Sequence, residues 1–429
     1  MTQIVNWRSC VCIDTLTDKV QDNGCDSGYT AAVNGELIYL DNNATARVHP
    51  EVCVAMEPYL SGEMYGNPSA GYRFGKQARE AVEQARGQVA ALLDVESEEI
   101  IFTSCGTESN NTAIQSALKC YPDRRHVVIS AGEHSAIEKP CKYLESHGYR
   151  VTRLALDGEG LIDLEELEAA IEPDETALVS LIWANNETGV LSPIDEAATI
   201  AKEKGVLFHS DAVQAIGKIP IGLHDSAVSM LSLSGHKLHA PKGVGALYVN
   251  RRVRFEPWIL GGGQESDRRS GTENVASIVG LGKAAVLLQN ALKNENHQAH
   301  LSGLRDRFEK ALIGRVANTQ VNGHCEKRLP NTSNLYFEGV DGEGLLILLD
   351  NAGICCSPGS ACGTGSVKPS RVLTAMGFSS SRARSSVRFS LSMFTTEEEI
   401  DRAIEAVEQT VGKLRVTLPS GRGSVVRNT

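Results

Sequence analysis

Two residues of this sequence could act chemically on one ligand. Lys237 ends the segment Ser234-Gly235-His236-Lys237, whose small and polar side chains could hold a phosphate, and Asp211 precedes it on the chain. A lysine amine can form a Schiff base, and an aspartate can hold the proton of a pyridinium nitrogen. These are the two protein groups that pyridoxal phosphate chemistry most needs. The pair therefore predicts a site for pyridoxal 5'-phosphate.

The elements that carry both residues have the pattern of β-strands. Apolar runs over 206–208 and 230–233 end close to Asp211 and Lys237, and the ligands of open α/β sheets bind beyond the carboxyl ends of strands. Most strand-like runs are separated by helical lengths, which predicts a mainly parallel sheet with helices on both faces. The predicted strands cover 100–103, 127–130, 151–156, 178–184, 206–210, 230–234 and 244–249, and apolar residues at helical spacing predict a helix over 75–93.

Changes of pattern along the chain predict its domains. After about residue 290, strand-like runs over 334–337 and 387–391 and a capping box of Thr396 with Glu399 indicate a smaller α+β unit. The fold class is therefore α/β, with a large domain and a small one. The predicted segments are a loosely ordered extension over 1–36, a large cofactor-binding domain over 37–290 whose start could pack with the small domain, a small domain over 291–414 and a flexible tail over 415–429.

The composition argues against several classes of partner. The 429 residues carry a net charge of −11, so no basic field is available to hold a nucleic acid or an anionic membrane. No apolar run approaches the roughly 20 residues of a membrane span. The first part of the chain lacks the apolar core of a signal peptide. We therefore expect a small-molecule or protein partner, and neither nucleic acid nor membrane.

The cysteines indicate a reducing compartment. Their number, 11, is odd, and they are scattered without a disulfide-like rhythm, which favours the cytoplasm. Cys10 with Cys12 and the adjacent Cys355 and Cys356 form pairs, but neither pair has a second half at the spacing of zinc ligands. We therefore expect no metal.

Several segments in one collinear order resemble the cysteine desulfurases, a branch of the class-V aminotransferase family within the fold-type I pyridoxal phosphate enzymes. The resemblance covers roughly residues 37–414, and the ordered set is far more specific than any one motif. The segments are LDNNAT at 40–45, GNPS at 66–69, EH at 133–134, NNETG at 185–189, DAVQ at 211–214, SGHK at 234–237, RSGTEN at 269–274 and SAC at 360–362.

The resemblance implies roles for the residues around the cofactor ring. Lys237 would form the Schiff base and move a proton between the substrate and the cofactor, and Asp211 would pair with the pyridine nitrogen. Gln214 would lie near the ring oxygen, and His134 would stack on the ring and handle protons. For Asp211 a second role stays open, as the N-cap of a helix that begins at Ala212.

The phosphate needs several donors at once. Gly106 and Thr107 open a predicted helix after the strand at 100–103, and helix N-termini bind anions through free backbone N–H groups. By resemblance, Ser234 and His236 would add donors to this cradle. Thr272 resembles a residue that the family contributes across a dimer interface, which implies a homodimer.

The substrate would be held and attacked by other residues. By resemblance, Asn186 and Arg388 would bind its carboxylate, the latter through bidentate guanidinium geometry; an exposed strand position is the alternative for Arg388. Cys362 lies among small residues without periodicity, which is typical of a mobile loop, and would be the nucleophile that takes the sulfur. For Cys355 and Cys356 we expect buried, inert thiols.

These implications predict a homodimeric cysteine desulfurase that converts L-cysteine to L-alanine and leaves a persulfide on Cys362. The length of the Cys362 loop resembles the class that serves iron–sulfur cluster assembly or nitrogenase maturation, so the partner would be a sulfur-acceptor or scaffold protein. A selenocysteine lyase or a small-amino-acid aminotransferase on the same scaffold is the alternative. A non-catalytic sulfur-relay or scaffold protein is the alternative of another class.

The sequence departs from the family pattern at two places. Ser266-Asp267-Arg268 stands where relatives usually carry Arg-Gly, and Ser392-Met393 stands where Gly-Arg is common. Neither departure falls on a residue assigned to the chemistry. They bear instead on the dimer-interface loop and on partner docking.

Overall fold

The computed structural model describes residues 37–358 and 369–417. The predicted extension over 1–36 and the predicted nucleophile Cys362 lie outside the described residues. The β-strands are β1 (Ile38–Tyr39), β2 (Ile100–Thr103), β3 (His126–Ser130), β4 (Arg150–Leu154), β5 (Thr176–Ile182), β6 (Leu207–Asp211), β7 (Met230–Ser234), β8 (Gly245–Val249), β9 (Thr319–Val321), β10 (Thr332–Phe337), β11 (Ile354–Cys355), β12 (Ser357–Pro358) and β13 (Ser386–Ser390).

The helices include both long core helices and short connecting ones. Short 3₁₀ turns cover Ser97–Glu99 and Gly235–Lys237, and a tight turn that contains left-handed residues covers Gln264–Asp267. The α-helices are α1 (Pro50–Leu60), α2 (Arg73–Leu93), α3 (Gly106–Cys120), α4 (Ser135–Ser146), α5 (Leu164–Ala170), α6 (Ile194–Glu203), α7 (Val275–Leu292), α8 (Glu295–Arg315), α9 (Gly342–Asn351), α10 (Arg371–Ala375), α11 (Ser380–Arg384) and α12 (Glu397–Thr417).

The large domain is built on a sheet with the strand order β2-β8-β7-β6-β5-β3-β4. Pairing is parallel from β7 through β4, whereas β8 lies antiparallel to both β7 and β2. All residues of β5 to β8 are buried, as expected for strands covered by helices on both faces. The predicted mainly parallel sheet is confirmed.

Helix α7 packs against other helices of the large domain, with half of its residues buried. By length and composition it could cross a membrane, which differs from the expectation that no apolar run approaches that length. It packs against α1 and α2, and Asn290 alone among its residues is exposed. Its apolar composition is therefore explained by burial between helices of the large domain.

The small domain has a mixed layer of strands and helices. Its antiparallel sheet has the order β12-β13-β10-β9, and α8, α9 and α12 pack together beside it. The start of the described chain packs here, because β1 pairs in parallel with β11 and Asp41 bridges to Ser390. Helix α12 continues to Thr417, past the predicted start of the tail at 415, so the predicted boundary is too early.

Candidate active site

A cavity of about 440 Å³ opens where β6 and β7 end. Asp211 and Ser234 are the last residues of these strands, and the parallel register sets Asp211 opposite Ser232, so both ends lie at one edge of the sheet. Most of the predicted site residues line this cavity, namely Gly106, Thr107, His134, Asn186, Asp211, Gln214, Ser234, His236, Lys237 and Arg388.

Two predicted site residues are not among the described residues that line the cavity. Thr272 is exposed and lies outside its lining. Cys362 lies outside the described residues, but the chain on both sides of it reaches the cavity. Before Cys362, Pro358 lines the cavity. After it, Ser370 donates a hydrogen bond to Glu187, and Glu187 lines the cavity.

Lys237 ends the short turn that follows β7. Its Nζ donates to the backbone oxygens of Asn43, at 2.7 Å, and of Ala44. Burial lowers the pKa of this amine to about 8, with a smaller contribution from the positive charge of Arg388. A larger neutral fraction near neutral pH makes the amine a better nucleophile and base.

Asp211 is held by two donors. Asn110 Nδ2 donates to Oδ2 at 2.7 Å, and the backbone N–H of Val213 donates to Oδ1 at 3.1 Å. The alternative that Asp211 caps a helix from Ala212 is wrong, because the backbone there forms hydrogen-bonded turns and no helix. The carboxylate is therefore oriented by side-chain and turn contacts at the cavity wall.

His134 is the N-cap of α4. Its Nδ1 accepts a hydrogen bond from the backbone N–H of Ala136 at 3.2 Å, and burial lowers the pKa of the ring, an effect that the charge of Asp211 partly opposes. A neutral ring whose Nδ1 is an acceptor carries its proton on Nε2. His134 is therefore prepared to donate from Nε2.

A set of donors along one wall forms an anion-binding cradle. Helix α3 begins at Gly106 with no side-chain cap, so its first N–H groups are free. A Cβ atom at Gly106 would lie 2.7 Å from Val213 Cγ2, which is too close for a side chain. Only glycine therefore allows the start of α3 to lie this near to Val213. Ser234 and His236 complete the wall, and burial lowers the pKa of His236 to about 4.

Arg388 is buried on β13, so the alternative of an exposed strand residue is wrong. Its Nη1 donates to the backbone oxygen of Asn186 at 2.9 Å, and its Nη2 donates to Asp41 Oδ1 at 2.7 Å. Its Nε has no partner among the described residues. Donor capacity therefore remains for a carboxylate in the cavity.

The residues present fit pyridoxal phosphate. The cradle of α3 suits a phosphate dianion, and Asp211 and Lys237 supply the partners that the ring nitrogen and the aldehyde require. Asn110 Oδ1 and Arg388 Nε, both of residues that line the cavity, are buried and without a hydrogen-bond partner in the described part of the chain. Unsatisfied polar atoms of this kind indicate a site built for a polar ligand.

Sequence reasoning missed several residues of the site. Asp41 and Asn43 lie inside the recognised segment at 40–45 but carry no predicted role, although they contact Arg388 and Lys237. Glu133 is buried beside His134 and accepts hydrogen bonds from Ser130 and from the backbone of Ile182. Its burial, next to an ionisable neighbour, could not be read from one sequence.

Cys355 and Cys356 are half-buried and not fully buried as expected, and they differ from an activated nucleophile. Burial raises the pKa of the Cys356 thiol strongly and that of Cys355 to a smaller degree. The thiolate is the nucleophilic form. Cys356 is therefore unreactive at rest, and Cys355 less reactive than a free thiol. Among the described residues, no cluster of His, Cys, Asp and Glu could hold a metal ion.

Comparison with known proteins gives consistent matches. The family profile described as "Aminotransferase class-V" matches residues 38–403. Cysteine desulfurase 2 of Trichormus variabilis (strain ATCC 29413 / PCC 7937) is 54% identical over 383 residues, which cover 89% of this chain and 95% of that protein. Cysteine desulfurase NifS of Azotobacter vinelandii is 50% identical over 391 residues, covering 90% and 96%.

Solved structures show the same similarity. A NifS-like protein superposes with a TM-score of 0.82 at 36% identity, covering 88% of this chain and 100% of that chain. DndA from Streptomyces lividans gives a TM-score of 0.69 at 38% identity, covering 82% and 99%. SspA in complex with cysteine gives 0.72 at 35% identity, covering 83% and 99%.

Proposed function

The chain belongs to the class-V aminotransferase family and, within it, to the cysteine desulfurases, and we propose that it uses pyridoxal 5'-phosphate to convert L-cysteine to L-alanine and passes the sulfur to Cys362. The observation that carries the proposal is the meeting of Lys237, Asp211 and His134 in one cavity that also holds an anion cradle. When bound there, pyridoxal phosphate supplies an electron sink, which accepts the electron pair of a bond that is broken at a substrate carbon atom.

The residues of the chain would bind, orient and move protons. The N-terminus of α3 with Ser234 and His236 would hold the phosphate, and Asp211 would hold the proton of the ring nitrogen. The Nζ of Lys237 would take the proton from the substrate Cα, for which its lowered pKa suits it. Arg388 would bind the substrate carboxylate with its remaining N–H groups.

The sulfur step needs a thiol at the cavity. In the balanced reaction, the bond between the substrate sulfur and Cβ breaks, a bond between that sulfur and Cys362 Sγ forms, and the thiol proton ends on alanine. Pro358 lines the cavity. Pro358 is also the last described residue before Cys362.

We also propose that a homodimer completes the site. Thr272 is exposed and outside the cavity lining of its own chain, so it would reach a cavity only in a second copy. The sulfur would then pass to an acceptor protein of iron–sulfur cluster or other sulfur-containing cofactor synthesis, in the reducing cytoplasm that the free cysteines favour.

Labelled L-cysteine tests the function. The wild-type protein should release alanine without a keto-acid partner and carry a reductant-labile sulfur label on the peptide containing residue 362. Cys362→Ser should bind cofactor and substrate but accumulate no alanine, and Lys237→Ala should lose borohydride-fixed cofactor. Cys325→Ser, which changes an exposed free thiol, is the matched control and should keep full activity.

Other outcomes would identify the alternatives. A label that moves to Cys355 or Cys356 in Cys362→Ser would show that Cys362 is the wrong nucleophile. Alanine production without a protein-bound label would indicate a lyase that releases sulfur directly. Alanine formation that depends on a keto acid would indicate an aminotransferase, and protein without cofactor or turnover would indicate a relay or scaffold protein.

A further inference from the structure

Asn43 connects the two amines beside the cavity. Its backbone oxygen accepts from Lys237 Nζ at 2.7 Å and from Gln214 Nε2 at 2.8 Å. Its side-chain Oδ1 accepts from Lys218 Nζ at 3.1 Å and from Asn331 Nδ2 at 3.2 Å. One residue thus joins the reactive lysine, a cavity-lining amide and a second lysine.

Lys218 lies behind the cavity and not in its lining. The residue as a whole is partly accessible, but its amino group is enclosed by protein. Within residues 37–358 and 369–417, no carboxylate lies within 4.0 Å of it, and it donates to the amide oxygens of Asn43 and Gln214. An enclosed amine without a counter-charge is costly, so its presence calls for a reason.

The contacts of Lys218 fix the orientation of the Gln214 amide. Gln214 is buried, and an amide group can turn over unless donors and acceptors distinguish its two ends. Lys218 donates to Oε1, and Asn43 accepts from Nε2 at 2.8 Å. If the Gln214 amide were turned over, its NH₂ group would face Lys218 Nζ, and both groups are donors. Gln214 lines the cavity, so the second hydrogen of Nε2 remains available to a ligand there.

We propose that Lys218 is a positioning residue that holds the Gln214 amide so that an N–H group, and not a carbonyl oxygen, faces the ring oxygen of the cofactor. The inference rests on the proposed function. A donor to that oxygen stabilises its anionic form and lowers the pH at which the lysine-bound cofactor loses its proton. The effect proposed for Lys218 is transmitted by Gln214, because Lys218 itself does not line the cavity.

Other charged groups also act on these amines. Lys218 faces Lys237 and Arg388, and His239 lies near it. Lys237 faces Arg388, Asp41 and Asp211. These neighbours stay unchanged when Lys218 or Gln214 is substituted, so a change in the titration reports on Lys218 and Gln214.

The test is a pH titration of the visible absorbance of the cofactor-loaded protein. Lys218→Met, which keeps the length of the side chain but removes the donor, should raise the titration midpoint by about one pH unit, the size of one hydrogen bond to a charged group. Lys218→Arg keeps a donor and should restore most of the wild-type midpoint. Lys204→Met changes a lysine of the large-domain surface and should leave the midpoint unchanged.

A double variant separates positioning from a general effect. In the Gln214→Met background, Lys218→Met should shift the midpoint no further, because the amide that it positions is gone. If Lys218→Met does not fold, Lys218→Gln, whose shorter side chain withdraws the donor, carries the same expectation. An unchanged midpoint in a folded Lys218 variant, or a full further shift in the double variant, would overturn the inference. A wild-type protein that binds no cofactor would instead overturn the proposed function, and this inference with it.

Discussion

Ser370 donates a hydrogen bond to the buried carboxyl group of Glu187, and this contact joins the small domain to the wall of the cavity. The same serine caps α10, because its Oγ accepts from the backbone N–H of Leu373 at 3.0 Å. The next residue, Arg371, donates to the backbone oxygen of Glu133. The start of α10 is therefore attached to two parts of the cavity wall, one of them next to His134.

Ser370→Ala should reduce the free energy of unfolding by about 2 to 4 kcal/mol, because it removes a helix cap and leaves a buried carboxyl group without its donor. Burial raises the pKa of Glu187 to about 7, so the carboxyl group is increasingly charged above that pH. Hydrogen bonds to charged groups are the stronger ones. The loss should therefore be larger at about pH 8.5 than at about pH 6 when unfolding is measured in denaturant.

Ser379→Ala is the matched control, because Ser379 caps α11 through the backbone N–H of Arg382 and is exposed. It should cost about 1 kcal/mol at both pH values. Equal and pH-independent losses in the two variants would show that the Glu187 contact adds nothing to the cap.

Glu133→Gln should flatten the decline of stability at alkaline pH. Burial raises the pKa of Glu133 from 4.5 to about 8. A folded-state pKa above the unfolded value gives stability that is fully present below pH 4.5 and is lost as the pH rises through about 8. Glutamine keeps an oxygen for Ser130 and Ile182 and does not ionise.

Thermal unfolding of both proteins between about pH 5 and about pH 9 checks this prediction. Over this range the free energy of unfolding should fall more in the wild-type protein than in the variant. The extra fall should be at most about 1.4 kcal/mol for each pH unit between the folded-state and unfolded-state pKa values of Glu133. Glu175→Gln, at an exposed turn, should follow the wild-type curve. Parallel curves for Glu133→Gln and wild type would contradict a buried, neutral Glu133.

Local patterns predicted the elements of the fold well. The strands expected at 100–103 and 230–234 have those bounds, because apolar runs of this length are bounded by polar turns. The capping box is confirmed by reciprocal hydrogen bonds between Thr396 and Glu399. Signals that act within a few residues of the chain can be read from one sequence.

Contacts between distant segments could not be predicted in this way. Asn43 takes part in the site because its backbone N–H binds Ser390, which lies 347 residues away in sequence. Lys218 likewise donates to Asn43, which lies 175 residues away in sequence, so its place beside the site could not be read from its neighbours on the chain. The antiparallel direction of β8 depends likewise on its neighbours and not on its own residues.

His209→Gln should reduce the loss of stability that the large domain undergoes as the pH falls. His209 bridges three strands, since Nδ1 bonds Ser180 Oγ at 2.8 Å and Nε2 bonds Ser232 Oγ at 2.9 Å. Burial lowers the pKa of the ring from 6.5 to about 3. A depressed folded-state pKa gives stability that is present above pH 6.5 and is lost as the pH falls towards 3.

The variant should be less stable than wild type near neutral pH, by about 1 to 3 kcal/mol, because one serine loses its partner. Between about pH 7 and about pH 4 it should lose less stability than wild type, since glutamine does not titrate. Denaturant unfolding across this range is the measurement, and His147→Gln at an exposed position is the control. A steeper acid decline in His209→Gln than in wild type would refute the role of a neutral ring.

Asp267→Gly should stabilise the loop that follows Gly263. Glu265, Ser266 and Asp267 have consecutive positive φ values of 50°, 56° and 63°, a conformation that side chains other than glycine adopt at a cost. Ser266-Asp267-Arg268, where the family resemblance leads us to expect Arg-Gly, lies in the same loop. Removing the Cβ of Asp267 should raise the free energy of unfolding by about 0.5 to 1 kcal/mol.

Two controls separate relief of strain from other effects of the substitution. Asp267→Ala keeps a Cβ at the same φ and should be no more stable than wild type. Asp225→Gly changes an exposed turn residue whose φ is not positive, so it should lower stability by up to about 1 kcal/mol through the greater freedom of the unfolded chain. If Asp267→Gly were as destabilising as Asp225→Gly in denaturant unfolding, the left-handed conformation of this loop would carry no cost, and the departure from Arg-Gly would need another explanation.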